Sequence, residues 1–151
     1  MTAIGFVALT VGAAAVVEDL ARRRVSNWTS GAALLSGFAV HGVQRGWHGV
    51  VTAATGAAVG FAVFAVFYFV NGMGGGDVKL MAGFGSLLGP GTILCAAWIA
   101  AVAGGVMATA SAVVLTLRQT SSGKRVMARA DAIPFAPAIV AGVWLAEIAR
   151  G

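Results

Sequence analysis

The chain of 151 residues holds five acidic side chains: Glu18, Asp19, Asp77, Asp131 and Glu147. Two of them have surroundings that suit acid–base chemistry. Asp19 closes a long apolar run, where the negative end of a helix dipole disfavours a further negative charge. An ionisable group in such a place is expensive and points to function. An ion pair with Arg22 or Arg23, at i+3 and i+4, is the structural alternative. Asp77 follows Gly72-Met73-Gly74-Gly75-Gly76. A simple helix cap needs one turn residue, whereas four glycines in five positions suit a sharp bend or a close backbone approach. Two carboxylates brought together share a proton, so one serves as base and the other as acid. Such a pair activates water against a peptide carbonyl with neither metal nor covalent intermediate.

The chain carries no rival apparatus. It has no GxSxG, HExxH or phosphate loop. Cys95 is the only cysteine and lies in an apolar run, so it makes no intramolecular disulfide and no CxxC metal site. His41 and His48 lack the spacing of a zinc set and read as interfacial loop residues. No metal and no cofactor is expected.

The elements that must position the two aspartates are membrane spans. Hydrophobic residues make up 59% of the chain and charged residues 10%, with a mean hydropathy of +0.91. Soluble domains carry about 25% charged residues, so this composition cannot cover a water-exposed surface. The expected fold is an all-α integral membrane bundle of about six transmembrane helices, in one domain over residues 1–151. The apolar runs place spans near Thr2–Val17, Trp28–Val43, Val50–Val70, Asp77–Leu88, Thr92–Leu117 and Ile133–Ala149. Twelve residues make a helix of only about 18 Å, short of a hydrocarbon core of about 30 Å. Either Asp77 is submerged, or that helix continues past Gly89-Pro90-Gly91. The GxxxG pair Gly56 and Gly60 reads as general helix packing.

Loop charge gives the orientation. Arg22, Arg23, Arg24, Lys79, Arg118, Lys124, Arg125 and Arg129 lie in alternate loops, and only Arg45 and Arg150 lie on the other side. Cytoplasmic loops carry the Lys/Arg excess. The N-terminus is therefore expected outside, with Asp19 and Asp77 both at the cytoplasmic face. The net charge of +5 is thus a matter of topology. No nucleic-acid partner is expected, since no aromatic platform accompanies the basic residues. The apolar N-terminal stretch lacks a preceding positive region and reads as a retained span.

Three segments together resemble the type IV prepilin peptidases. Asp19-Leu20, followed by Arg22-Arg23-Arg24-Val25-Ser26-Asn27, resembles that family's first-aspartate motif: an Asp, a basic stretch, then Ile/Val-Pro-Asn. Gly74-Gly75-Gly76-Asp77-Val78-Lys79-Leu80 resembles its GxGD motif with trailing Lys-Leu. Ile133-Pro134-Phe135-Ala136-Pro137 resembles the Pro-rich start of its last helix. The matches come in the family's order, and Ser26 stands where the family has proline. The resemblance implies a GxGD aspartic protease-like bundle in the cytoplasmic membrane. Its catalytic pair would be Asp19 and Asp77, its partners the lipid bilayer and a prepilin-like substrate whose basic leader it cuts. It further implies the small, peptidase-only type. Gly74, Gly76, Lys79 and Asn27 would support the site or substrate. Lys79 reads as snorkelling to headgroups, Asn27 and Asn71 as hydrogen-bonding near the site, Asp131 as a loop partner of Arg129, and Glu18 as an interfacial residue. A small proton- or cation-coupled transporter and a non-catalytic pilus scaffold are the competing readings. The oligomeric state is not legible.

Overall fold

The computed structural model describes residues 3–22, 26–69, 74–122 and 136–150. They form five helices: α1 Ala3–Arg22, α2 Asn27–Phe69, α3 Gly75–Leu88, α4 Pro90–Ser122 and α5 Ala136–Arg150. Among the expectations above, those on Arg23, Arg24, Asn71, Lys124, Arg125, Arg129, Asp131 and the segment 133–135 lie outside the described residues.

The helix α2 is two arms. Gly46 has φ 55 and ψ −136, a backbone conformation that glycine adopts at little cost. The arms fold back on each other there, so that a side chain on Gly49 would strike the His41 carbonyl. The sequence suggested a loop of several residues between Val43 and Val50; a single glycine does the work.

Between these arms lies α3. Gly37 of the first arm meets Ser86 and Leu87, and Ala33 meets Gly83. On the other side Gly60 meets Met81, and Gly56 and Gly85 each abut the other's carbonyl. Small residues at these positions let the backbones come within carbonyl contact. The larger side chains of α3 fill what remains: Leu80, Met81, Phe84 and Leu87 are fully buried. The Gly56/Gly60 pair is thus an internal packing surface. After Leu88, Gly89 takes φ 78 and its N–H reaches the Gly85 carbonyl at 2.9 Å. Pro90 then opens α4, at a position where its missing N–H costs nothing. So α3 stops where its apolar run stops, at about 21 Å for 14 residues.

The outer helices pack by the same means. Gly142 of α5 sits against Ala96 and Ala100 of α4, and Gly12 of α1 sits against Val140 and Trp144 of α5. The inward face of α1 reads Ile4, Ala8, Gly12, Ala15 and Asp19, a helical spacing that carries the aspartate inward with the small residues.

Two helical stretches, Ile4–Arg22 and Asn27–Phe69, are long and apolar enough to cross a membrane, and Pro90–Val106 and Ala136–Ala149 are shorter apolar helices. Large apolar side chains such as Phe6, Leu35, Phe61, Phe69 and Trp98 point outward. His41 departs from its expected place. It is buried, and its Nε2–H donates to the Leu87 carbonyl at 2.9 Å. It faces α3 because the tight Gly46 turn extends the first arm beyond it. His48, at the turn, is exposed as expected.

Gly56→Val should cost about 1–3 kcal/mol by overpacking against the Gly85 carbonyl. Gly31→Ala meets open space and should be neutral or stabilising by about 0.5–1 kcal/mol. Thermal unfolding in detergent checks both, and an unchanged Gly56→Val midpoint would contradict the close approach.

Candidate active site

Asp19 is buried in the last turn of α1. Its Oδ2 accepts the backbone N–H of Ala136 at 3.1 Å. Ala136 is the first residue of α5, so this donor is one of the helix's otherwise unpaired N–H groups, at the positive end of its dipole. That is a favourable place for a carboxylate, and α1's own C-terminus is not. Among the described residues, Arg22, one of the two partners expected from spacing, is not what meets this oxygen.

Asp77 is half-buried in the first turn of α3. Gly74 is the N-cap in extended conformation. The Asp77 carboxylate accepts a backbone N–H from Gly74, and the Asp77 N–H donates to the Gly74 carbonyl at 3.1 Å. The aspartate, three positions after the cap, thus supplies the side-chain half of a capping box, while its own N–H closes a backbone turn onto Gly74. Capping and chemistry are therefore not exclusive readings of Asp77. The negative charge of Asp19 acts on Asp77. Asp77 thus lies within electrostatic reach of Asp19. Gly74 and Gly75 are exposed and Gly76 is half-buried, so no side chain covers the approach to Asp77 at those positions.

The supporting residues assemble at the start of α2. Lys79 Nζ donates to Asn27 Oδ1 at 3.1 Å, so Lys79 has a protein partner in addition to the headgroup contact expected for it. Glu18 is not an idle interfacial residue. Its Oε2 accepts the Ser26 N–H at 2.9 Å and the Thr29 hydroxyl at 2.7 Å. Ser26 in turn caps α2 through its Oγ, which accepts the Trp28 N–H at 3.1 Å. The sequence reading missed Ser26, Thr29 and Ala136. A Ser-Asn-Trp-Thr run before an apolar helix is an N-cap signal that could have found Ser26. Nothing local in the sequence pairs Glu18 with Thr29 or Asp19 with Ala136.

A buried carboxylate and a half-buried one stand on different helices at one end of an apolar bundle. The model of the type IV leader peptidase family matches residues 6–109, which include both aspartates. This chain belongs to that family. It is also 42% identical over 95 residues to the Prepilin leader peptidase/N-methyltransferase of Bacillus subtilis (strain 168). The matched stretch is 62% of this chain and 34% of that protein, so the chain spans about a third of its relative's length. No solved structure matches it.

If the two carboxylates repel, relieving one charge should stabilise the fold. Asp19→Asn and Asp77→Asn keep an acceptor for the Ala136 and Gly74 N–H groups. Each should raise the thermal midpoint at pH 8. The double variant should gain less than the sum, by an interaction term of about 0.5–3 kcal/mol. Additive gains would mean that the charges do not interact.

Proposed function

We propose that this chain is a membrane aspartic endopeptidase that removes the leader from prepilin-like proteins at the cytoplasmic face, with Asp19 and Asp77 as its catalytic pair. The observation that carries the reading is the pairing itself: Asp19, anchored by α5, within electrostatic reach of Asp77 at the glycine-rich start of α3. The relative's name supplies the substrate class.

In this mechanism the two aspartates hold one proton between them. The ionised member takes a proton from a water molecule. The water oxygen attacks the scissile carbonyl, and the protonated member gives its proton to the carbonyl oxygen. Collapse of the tetrahedral intermediate breaks the C–N bond: the first carboxyl passes its proton to the leaving amine, and the second takes one back from a hydroxyl of the intermediate as the carbonyl re-forms. Each carboxyl ends in the state that starts another cycle. The exposed glycines before Asp77 would admit an extended substrate backbone.

The membrane placement is part of the same proposal. The two arms of α2 and the four other helices would give six crossings of the cytoplasmic membrane, with the N-terminus outside. The ends of α1, α3 and α5 nearest Asp19 would then face the cytoplasm, where the excess of Lys and Arg lies. Gly74 and Gly76 would serve the approach to Asp77, and Lys79 and Asn27 its support.

Co-expression with a prepilin-like substrate bearing a basic leader that ends in glycine tests the reading. Wild type should shift the substrate's size and expose a new N-terminus. Asp19→Asn and Asp77→Asn should each lower cleavage at least about 100-fold, with unchanged amounts of enzyme by immunoblot. Full cleavage by either variant would sink the paired mechanism.

Ala136→Pro isolates the anchor. Proline suits the first position of a helix but has no N–H to give Asp19. Cleavage should fall about tenfold or more while α5 still forms by circular dichroism, as expected for loss of a hydrogen bond to a charged group.

A further inference from the structure

The residues beside the two aspartates converge on one turn of helix. Glu18 directly precedes Asp19, and its Oε2 accepts from Ser26 N–H and Thr29 Oγ1–H at 2.9 and 2.7 Å. Lys79 follows Asp77 by two positions, and its Nζ donates to Asn27 Oδ1 at 3.1 Å. Ser26, Asn27 and Thr29 all belong to the start of α2. A single rigid turn is therefore gripped from one side by the aspartate-bearing end of α1 and from the other by the aspartate-bearing start of α3.

We propose that Glu18 is a positioning residue: by clamping the Ser26 N–H and Thr29 hydroxyl at the first turn of α2, it sets where Asp19 stands relative to Asp77. The inference rests on the peptidase reading above for its kinetic consequence, and on geometry alone for its structural one. Adjacent residues on a helix differ by about 100° in direction. Asp19 can thus face the bundle interior while Glu18 faces the start of α2. The Oε2 of Glu18 is turned to the start of α2 and accepts from two donors there. The clamp also gives position 26 a meaning. The related motif has proline there, and proline has no N–H. The Ser26 N–H that Glu18 accepts exists because this chain departs from the motif, and the serine hydroxyl caps α2 as well. Carboxylate and serine form one unit that holds the joint by hydrogen bonds.

Purified wild type, Glu18→Ala, Glu18→Gln and Ser26→Pro are compared on a prepilin-like substrate, with rates normalised to folded enzyme. Displacement of a catalytic group by about 1 Å can cost on the order of 100-fold. Glu18→Ala should lower kcat at least about tenfold with KM within about twofold. Glu18→Gln keeps an acceptor for both donors and should recover most of the rate. Ser26→Pro should lower kcat as Glu18→Ala does, and combining the two should add little. An unchanged kcat for folded Glu18→Ala would overturn the inference. A second readout needs no substrate. In a Cys95→Ser background, Asp19→Cys and Asp77→Cys are cross-linked by copper phenanthroline. Adding Glu18→Ala should slow cross-linking at least severalfold, and an unchanged rate would again overturn the inference. If wild type cuts no leader but the cross-linking slows, the peptidase reading fails and the positioning inference stands.

Discussion

Asp19 puts an ionisable carboxyl on the inward face of an apolar helix, and the first backbone N–H of α5 meets it there. The donor lies 117 residues along the chain. An unpaired buried carboxylate would be costly, so α5 has to return to the end of α1. Everything along the α1–α5 seam agrees with that demand. Asp19 meets Ala136, Gly12 meets Val140 and Trp144, and the Trp144 indole N–H reaches the Ala8 carbonyl at 3.5 Å. These pairs run in opposite order along the two helices, so they are antiparallel. The start of α5 and the end of α1 then coincide, and the dipole that α1 directs at Asp19 unfavourably is offset by the one that α5 directs favourably.

The second aspartate reaches the same end by a different device. The first arm of α2 runs parallel to α3, with Ala33 beside Gly83 and Gly37 beside Ser86. The second arm runs antiparallel, with Gly56 beside Gly85 and Gly60 beside Met81. That geometry needs a turn as tight as the one at Gly46, because α3 must be close to both arms at once. It also explains why Asn27 and Lys79 meet, since both stand at the base of parallel rods. Carbonyl-to-glycine contacts on both sides of α3 fix its height, and with it the height of Asp77.

Much of this was legible in the sequence. The apolar runs gave α1, α3, α4 and α5 to within a few residues, because a helix in such a chain is bounded by its charges and glycines. Asp19 and Asp77 stood out by type and setting, and their common end followed from counting spans. What was not legible depends on contacts between distant segments. Glu18 looked like a surface charge because its partners, Ser26 and Thr29, belong to the next helix. His41 looked interfacial because a loop was assumed where Gly46 alone makes the turn. Arg22 looked like a partner for Asp19 because spacing within a helix is visible, whereas an N–H from α5 is not. In each case local pattern set the element, and tertiary approach set the partner.

The two carboxyls are held unequally, and the inequality suits the chemistry proposed for them. Asp19 is buried, bonded to a helix terminus and braced through its neighbour Glu18. Asp77 is half-buried and follows exposed glycines that bring no packing of their own. Its fixed points are the cap with Gly74, the buried Val78 and Leu80 behind it, and the Lys79–Asn27 bond. Two like charges near each other oppose the folded state, so one side must be anchored firmly enough to withstand the repulsion. The other must stay reachable by a peptide. A side chain at 74 would stand against the Asp77 carboxylate, in the space that the proposed peptide would need, and one at 75 would meet Tyr68. Glycine is favoured over alanine at the cap itself, but at 75 and 76, within the first turn, it weakens the helix by up to roughly 0.5–1 kcal/mol per residue relative to alanine. The strong α3 packing further along, at Leu80, Met81, Phe84 and Leu87, offsets that loss and keeps the open end in register with the anchored one.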